Sequence, residues 1–96
     1  MAHTHFHHPG ILLRDLYLEE SGITQAQLAK GIGLPESRVS ELCNGKRDIT
    51  ADLALRLGKF FGIDPRCFTN AQTHYDLEEA KAAQKAAHVV IRPFKP

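Results

Sequence analysis

Residues 24–47, TQAQLAKGIGLPESRVSELCNGKR, constrain the fold of this chain more than any other stretch. Thr24 is a good N-cap, and Gln27, three residues on, completes a capping-box pattern. Gln27, Leu28, Ala29 and Ile32 then give a short helix an apolar side and a polar back, until Gly33 breaks it. Pro35 and Glu36 suit the first turn of a second helix, with the acid at the positive end of the helix dipole. On that helix Val39 and Leu42 form an inward-facing i, i+3 pair and leave Glu36, Ser37, Arg38, Ser40 and Glu41 outside. Asn44 and Gly45 end it, as residues that tolerate left-handed backbone do, and Lys46 and Arg47 follow directly. A short helix with a polar outer face, held by one packed neighbour, has the right shape for the major groove of a duplex.

Charge qualifies that reading. The formal net charge is only +1, whereas many nucleic-acid-binding domains are clearly basic. Between Thr24 and Phe60 the balance is better, with six basic residues (Lys30, Arg38, Lys46, Arg47, Arg56, Lys59) against four acidic ones (Glu36, Glu41, Asp48, Asp52). One copy with so few cations would hold phosphates feebly, so the charge argues for a homodimer that doubles the contacts. Ninety-six residues suffice for one compact domain. No apolar run approaches the roughly 20 residues that cross a bilayer, and no charged-then-apolar signal pattern opens the chain. A cytoplasmic protein that does not engage membranes is expected. Cys43 and Cys67 lie far apart in helical patterns, with neither a disulfide framework nor metal-site spacing, and are expected to be packing residues in a reducing compartment.

Residues 1–8 read as a flexible polar arm carrying His3, His5, His7 and His8. Imidazoles invite a metal, but the arm has no cysteine or carboxylate, and no metal or cofactor is assigned. The helix from Pro9 to about Glu20 carries Ile11, Leu12, Leu13, Leu16, Tyr17 and Leu18, an apolar arc too wide for a helix with one dry side. Either Ile11 and Leu16 meet a partner, or the arm and the C-terminal segment cover them. Gly22 ends that helix. Thr50 caps a fourth helix whose inward stripe is Leu53, Ala54, Leu57, Phe60 and Phe61, closed by Gly62. Asp64-Pro65 starts a fifth, which runs through LEEAKAAQKAA; past Ala82 its apolar stripe fades, so its end frays or rests on another subunit. From His88 on, Val89, Val90 and Ile91 are β-branched and Pro93 is a breaker. This segment, with Phe94, is either a short strand that pairs with a twin copy or a partner's sheet, or an extended tail packed on the first helix.

These residues carry a resemblance. Residues 24–47 resemble the helix-turn-helix of the phage-repressor-like (XRE) family, and HPGILLRDLYLEESG at 8–22 looks like the opening of HigA or VapI-type antitoxins. NGKRDITADLALRL at 44–57 and the run Asn70, Gln72, Tyr75, Asp76, Leu77 are similar to that family's later segments, so the likeness covers roughly residues 8–79. It implies an all-α, five-helix repressor-like domain over residues 9–87 with a helical extension and an extended tail at 88–96, which leaves room for one short terminal strand. It also implies a palindromic double-stranded DNA operator, a homodimer, and a small ribonuclease-type toxin of the HigB or RelE-like kind. By the same resemblance Glu36, Ser37 and Glu41 lie nearest base edges, with Arg38 and Ser40 beside them, and Gln25 holds a phosphate at the start of its helix. Pro35 and the apolar Ile11 and Leu16 depart from the family pattern.

Chemistry supports those roles. Arg38 can donate bidentately to guanine or clamp a phosphate, glutamate can accept from cytosine N4, and serine is a permissive donor or acceptor. Glu41, three residues from Arg38, is expected to pair with it and hold it in place. Glu36 has either a base role or only a dipole role. Lys46 and Arg47 are the natural backbone clamps. Ile11, Leu16, Val89, Val90, Ile91 and Phe94 are the candidates for dimer or toxin contact. Two other readings compete: a stand-alone repressor without a toxin, and an interaction module that has lost DNA binding. An enzyme is not expected. There is no phosphate-cradling glycine loop and no His-Glu-x-x-His. Ser21, Ser37 and Ser40 have no evident base and orienter. His74, Tyr75 and Asp76 are consecutive on a helix and point apart.

Overall fold

A computed structural model describes residues 8–95, in which five helices and no strand are formed. The histidines of the arm at positions 3, 5 and 7 lie outside the described residues. The first helix, α1, covers residues 9–21 and is irregular: α-helical at Pro9–Leu12, π-helical at Leu13–Leu18 and α-helical again at Glu19–Ser21. The wider turn, seen in the Glu19 N–H donating to the Arg14 carbonyl, accounts for the broad apolar arc. It brings Leu13 and Leu18, five residues apart, into the core together. Ile11 is half-buried beside Gly45, and Leu16 stays 56% exposed. The expectation that the arm or the C-terminal segment covers Leu16 is therefore not met by the described residues.

His8 corrects the boundary of the arm. It is buried and caps α1, its Nδ1 accepting the Gly10 N–H at 2.9 Å, with Pro9 in the first helical position.

Helix α2, Gln25–Ile32, begins with both bonds of the capping box: Gln27 N–H donates to Thr24 Oγ1 at 3.0 Å, and Thr24 N–H donates to Gln27 Oε1 at 2.7 Å. Gln27 is thus exposed cap rather than apolar side, which Leu28, Ala29 and Ile32 supply. Gly33 (φ 72°, ψ 36°) turns the chain left-handed, where a Cβ would be strained. Helix α3 then runs Glu36–Cys43 with Pro35 in the cap position, so the helix starts one residue later than expected and has no side-chain cap.

Helix α4, Ala51–Phe61, is capped by Thr50 Oγ1, which accepts the Leu53 N–H at 3.2 Å. Leu53, Ala54 and Leu57 face inward as expected, but Phe60 is exposed, its ring edge-on to Phe61. Helix α5, Arg66–Ala86, starts with Asp64 Oδ1 accepting the Arg66 N–H at 2.9 Å.

α2 packs on α3, α1 crosses α3 and α5, and α4 braces α2 and α5. Leu13, Leu28, Leu42 and Leu57 are almost fully buried at the centre, each contributing about 1.5–3 kcal/mol of transfer free energy. Tyr17, Phe61 and Phe68 stack in a tilted cluster between α1, α4 and α5. Cys43 belongs to this core, and burial pushes its thiol up; Cys67 is exposed, contrary to the packing role expected of it.

Beyond Glu78 every described residue is exposed, and Leu77 just before is 61% exposed. The last third of α5 therefore touches little of its own chain. The helix stops in a Schellman turn: His88 takes φ 55°, its N–H donates to the Lys85 carbonyl, and the Val89 N–H donates to the Gln84 carbonyl. The tail beyond forms no strand and does not pack on α1, which overturns the packed-tail expectation: Val90, Ile91 and Phe94 are 76–88% exposed.

Candidate nucleic-acid interface

Glu36, Ser37, Arg38 and Glu41 all stand exposed on α3, while Ser40, expected beside them, is half-buried. The segment is short because it is stopped at both ends. Pro35 has no N–H to donate, and Gly45 (φ 75°) turns the chain after Asn44. The inward side is fixed by Val39, Leu42 and Cys43, all nearly inaccessible. Gly10 sets how closely α1 approaches: a Cβ there would lie 1.8 Å from the Leu42 carbonyl oxygen. The Arg14 guanidinium reaches toward the Cys43 carbonyl at 3.5 Å, at the negative end of α3.

Glu41 does not pair with Arg38. It accepts from Arg47 Nε across the turn instead. The reason is reach: Arg47 returns over the end of the helix once Gly45 has reversed the chain. The Arg47 guanidinium holds the Glu41 carboxyl below the usual carboxylate range, with Arg38 and Lys46 adding smaller pulls. Arg38 and Arg47 line one small cleft rimmed by Asp48, Thr50 and Asp52. Among the described residues the side chains of Arg38 and Lys46 make no hydrogen bond or ion pair. Arg56, counted with the basic residues of this region, is internal wiring: Nη1 donates to the Ile32 carbonyl at 2.7 Å and Nε to Asp52 at 2.8 Å. Gln25 sits half-buried at the first turn of α2, facing a shallow groove with Arg14, Ile23 and Thr24.

The loop carrying Lys46 and Arg47 is held from behind by two residues that were not singled out for that task. Gln72 on α5 is buried; its Oε1 accepts the Ile49 N–H at 2.7 Å, and its Nε2 donates to Asp76 Oδ1 at 2.9 Å. His8 lies against Tyr75, ring centroids 5.0 Å apart, and its Nε2 is 3.2 Å from Asp48 Oδ1. A polar residue just before Pro9 occupies a cap slot, a signal that reading residues 1–8 as one arm overlooked. A positively flanked, exposed, rigidly seated helix of this kind can donate to phosphates on both sides and offer donors and acceptors to base edges.

Comparison with known proteins decides the family. The family described as Helix-turn-helix matches residues 13–66, which span α2, α3, α4 and the basic loop. Virulence-associated protein I of Dichelobacter nodosus is 40% identical over 84 residues, 88% of this chain and 78% of that one. Antitoxin HigA-1 of Vibrio cholerae is 31% identical over 85 residues, 88% of this chain and 80% of its own. The chain belongs to the HigA-type antitoxin family of helix-turn-helix proteins. Among solved structures, the antitoxin HigA of Pseudomonas aeruginosa with the higBA promoter superposes with a TM-score of 0.87 at 34% identity, covering 95% of this chain and all of that one. The matched stretch 13–66 leaves out Gly10, which meets α3, and His8 and Gln72, which hold the loop after it.

Proposed function

We propose that this chain is a DNA-binding antitoxin that represses its own operon as a dimer and neutralises a small ribonuclease-type toxin. The observation that carries the proposal is the exposed α3 face flanked by Lys46 and Arg47, set in a fold that superposes on an antitoxin solved with promoter DNA. Glu36, Ser37, Arg38 and Glu41 serve the bases, Ser40 assists from a half-buried position, and Gln25, Lys46 and Arg47 serve the phosphates. The near-neutral charge makes a second copy necessary for useful affinity. The last third of α5 and the exposed Val89, Val90, Ile91 and Phe94 offer the surface for that copy, and Leu16, with the part of Ile11 left open, faces the toxin. Its place of work is where its operator is, in the cytoplasm.

The experiment pairs two readouts. Co-expression with the product of the neighbouring open reading frame should give co-purification and rescue of growth. Fluorescence anisotropy on the promoter fragment should show salt-sensitive binding that Arg38→Ala weakens by about 1–3 kcal/mol. DNA binding without a toxic neighbour would leave a stand-alone repressor; absence of salt-sensitive binding would leave an interaction module and refute the operator role.

A further inference from the structure

We infer that His8 is a positioning residue for DNA binding: it ties the start of α1 to the basic loop and fixes where Lys46 and Arg47 stand. The inference rests on the proposed reading of that loop as a phosphate clamp. His8 is 6% exposed, whereas its partner Asp48 lies in the exposed loop. Gly10 N–H donates to Nδ1 at 2.9 Å, so Nδ1 carries a lone pair and no proton. The ring proton therefore sits on Nε2 and points at Asp48 Oδ1, 3.2 Å away. One imidazole thus makes two different bonds, one within α1 and one across 40 residues of sequence. Tyr75 stands edge-on to the ring, centroids 5.0 Å apart, and a Cβ added at Gly45 would lie 3.6 Å from its Cγ, so the ring is packed by α5 and by the turn after α3. Asp48 directly follows Lys46 and Arg47 and precedes Ile49, whose N–H is held by Gln72. Lys46 N–H and Arg47 Nε tie this loop to Glu41 on α3, whereas the His8 bond to Asp48 ties it to the start of α1.

Three variants separate positioning from mere stability. His8→Asn keeps a side-chain acceptor at the cap but is too short to reach Asp48. His8→Gln places an amide nitrogen near the site of Nε2 but loses the cap acceptor. Asp48→Ala breaks the same tether from the loop and leaves the cap intact. Each full-length variant is titrated against the promoter fragment at several salt concentrations, with its thermal midpoint measured alongside. His8→Asn should keep nearly the wild-type midpoint, weaken binding about tenfold and make the log K against log salt slope shallower by about 1. His8→Gln should show the reverse: a lower midpoint with the slope retained. Asp48→Ala should also weaken binding, although loss of an acid near phosphates by itself strengthens it. Wild-type slope in His8→Asn, or equal or tighter binding by Asp48→Ala, overturns the inference. The double variant Lys46→Ala, Arg47→Ala is the control. If it too leaves the slope unchanged, the clamp reading falls and this inference with it. If it flattens the slope while His8→Asn does not, the clamp stands and this inference alone fails.

Discussion

Glu41 and Arg47 show how a single contact changes the chemistry available at the exposed α3 face. Arg47 meets Glu41 through Nε, the inner nitrogen of the guanidinium, so its terminal nitrogens remain open to a phosphate. Glu41 in turn is kept ionised and turned toward the loop, which limits it as an acceptor for cytosine. The pair has a pH signature. The folded carboxyl lies below its unfolded value, so the interaction contributes fully above the ordinary glutamate range and is lost as pH falls through the lowered folded value. Because both partners are about half exposed, this is a local effect screened by solvent. A carboxyl NMR titration should place the Glu41 midpoint below that of an unpaired glutamate, and Arg47→Ala should return it toward that reference. A wild-type midpoint at or above it contradicts the pairing. The periodicity of α3 showed that Glu41 was outside but could not say which cation it meets, because the choice depends on the loop after Gly45 folding back.

At the scale of elements, the parts read most easily from sequence were those that local chemistry decides. Thr24 with Gln27, Gly33, Thr50 and Gly62 punctuate the helices where capping rules put them. The parts that escaped depend on neighbours in space. The π-helical turn of α1 is invisible to a search for helical period, which sees only too many leucines. Phe60 looked inward by spacing but lies at the rim of the aromatic cluster. The seating of α3 against α1 depends on Gly10, whose role is to have no side chain. Gly10→Ala should force the Leu42 carbonyl away and cost about 1–3 kcal/mol of overpacking. It should lower the urea midpoint, and with it operator affinity, because α3 moves with the clash. Wild-type stability in that variant would mean that α1 and α3 do not meet as closely as described.

For the whole molecule, the telling feature is imbalance. The body up to Glu78 has a continuous core, whereas the residues after it extend an exposed helix and an apolar tail into solvent. A lone chain with Val90, Ile91 and Phe94 uncovered calls for a partner. Replacing these three with serine should shift sedimentation from dimer to monomer at micromolar concentration while leaving the thermal midpoint of the helical body nearly unchanged. Undiminished self-association would instead place the dimer contact elsewhere, with α5 the first place to look. Sequence composition argued for two copies from charge, but the open tail became evident only once α1 proved to be covered by α5 and not by it.

An amide NMR perturbation map of the full-length chain on adding the promoter duplex tests whether α3 and the loop after it meet DNA. The map should show its largest changes from Glu36 to Glu41 and from Gly45 to Arg47, a second set at Gln25, and little from Glu79 to Ala86. Changes confined to α5 and the tail, with the α3 face unmoved, would contradict it.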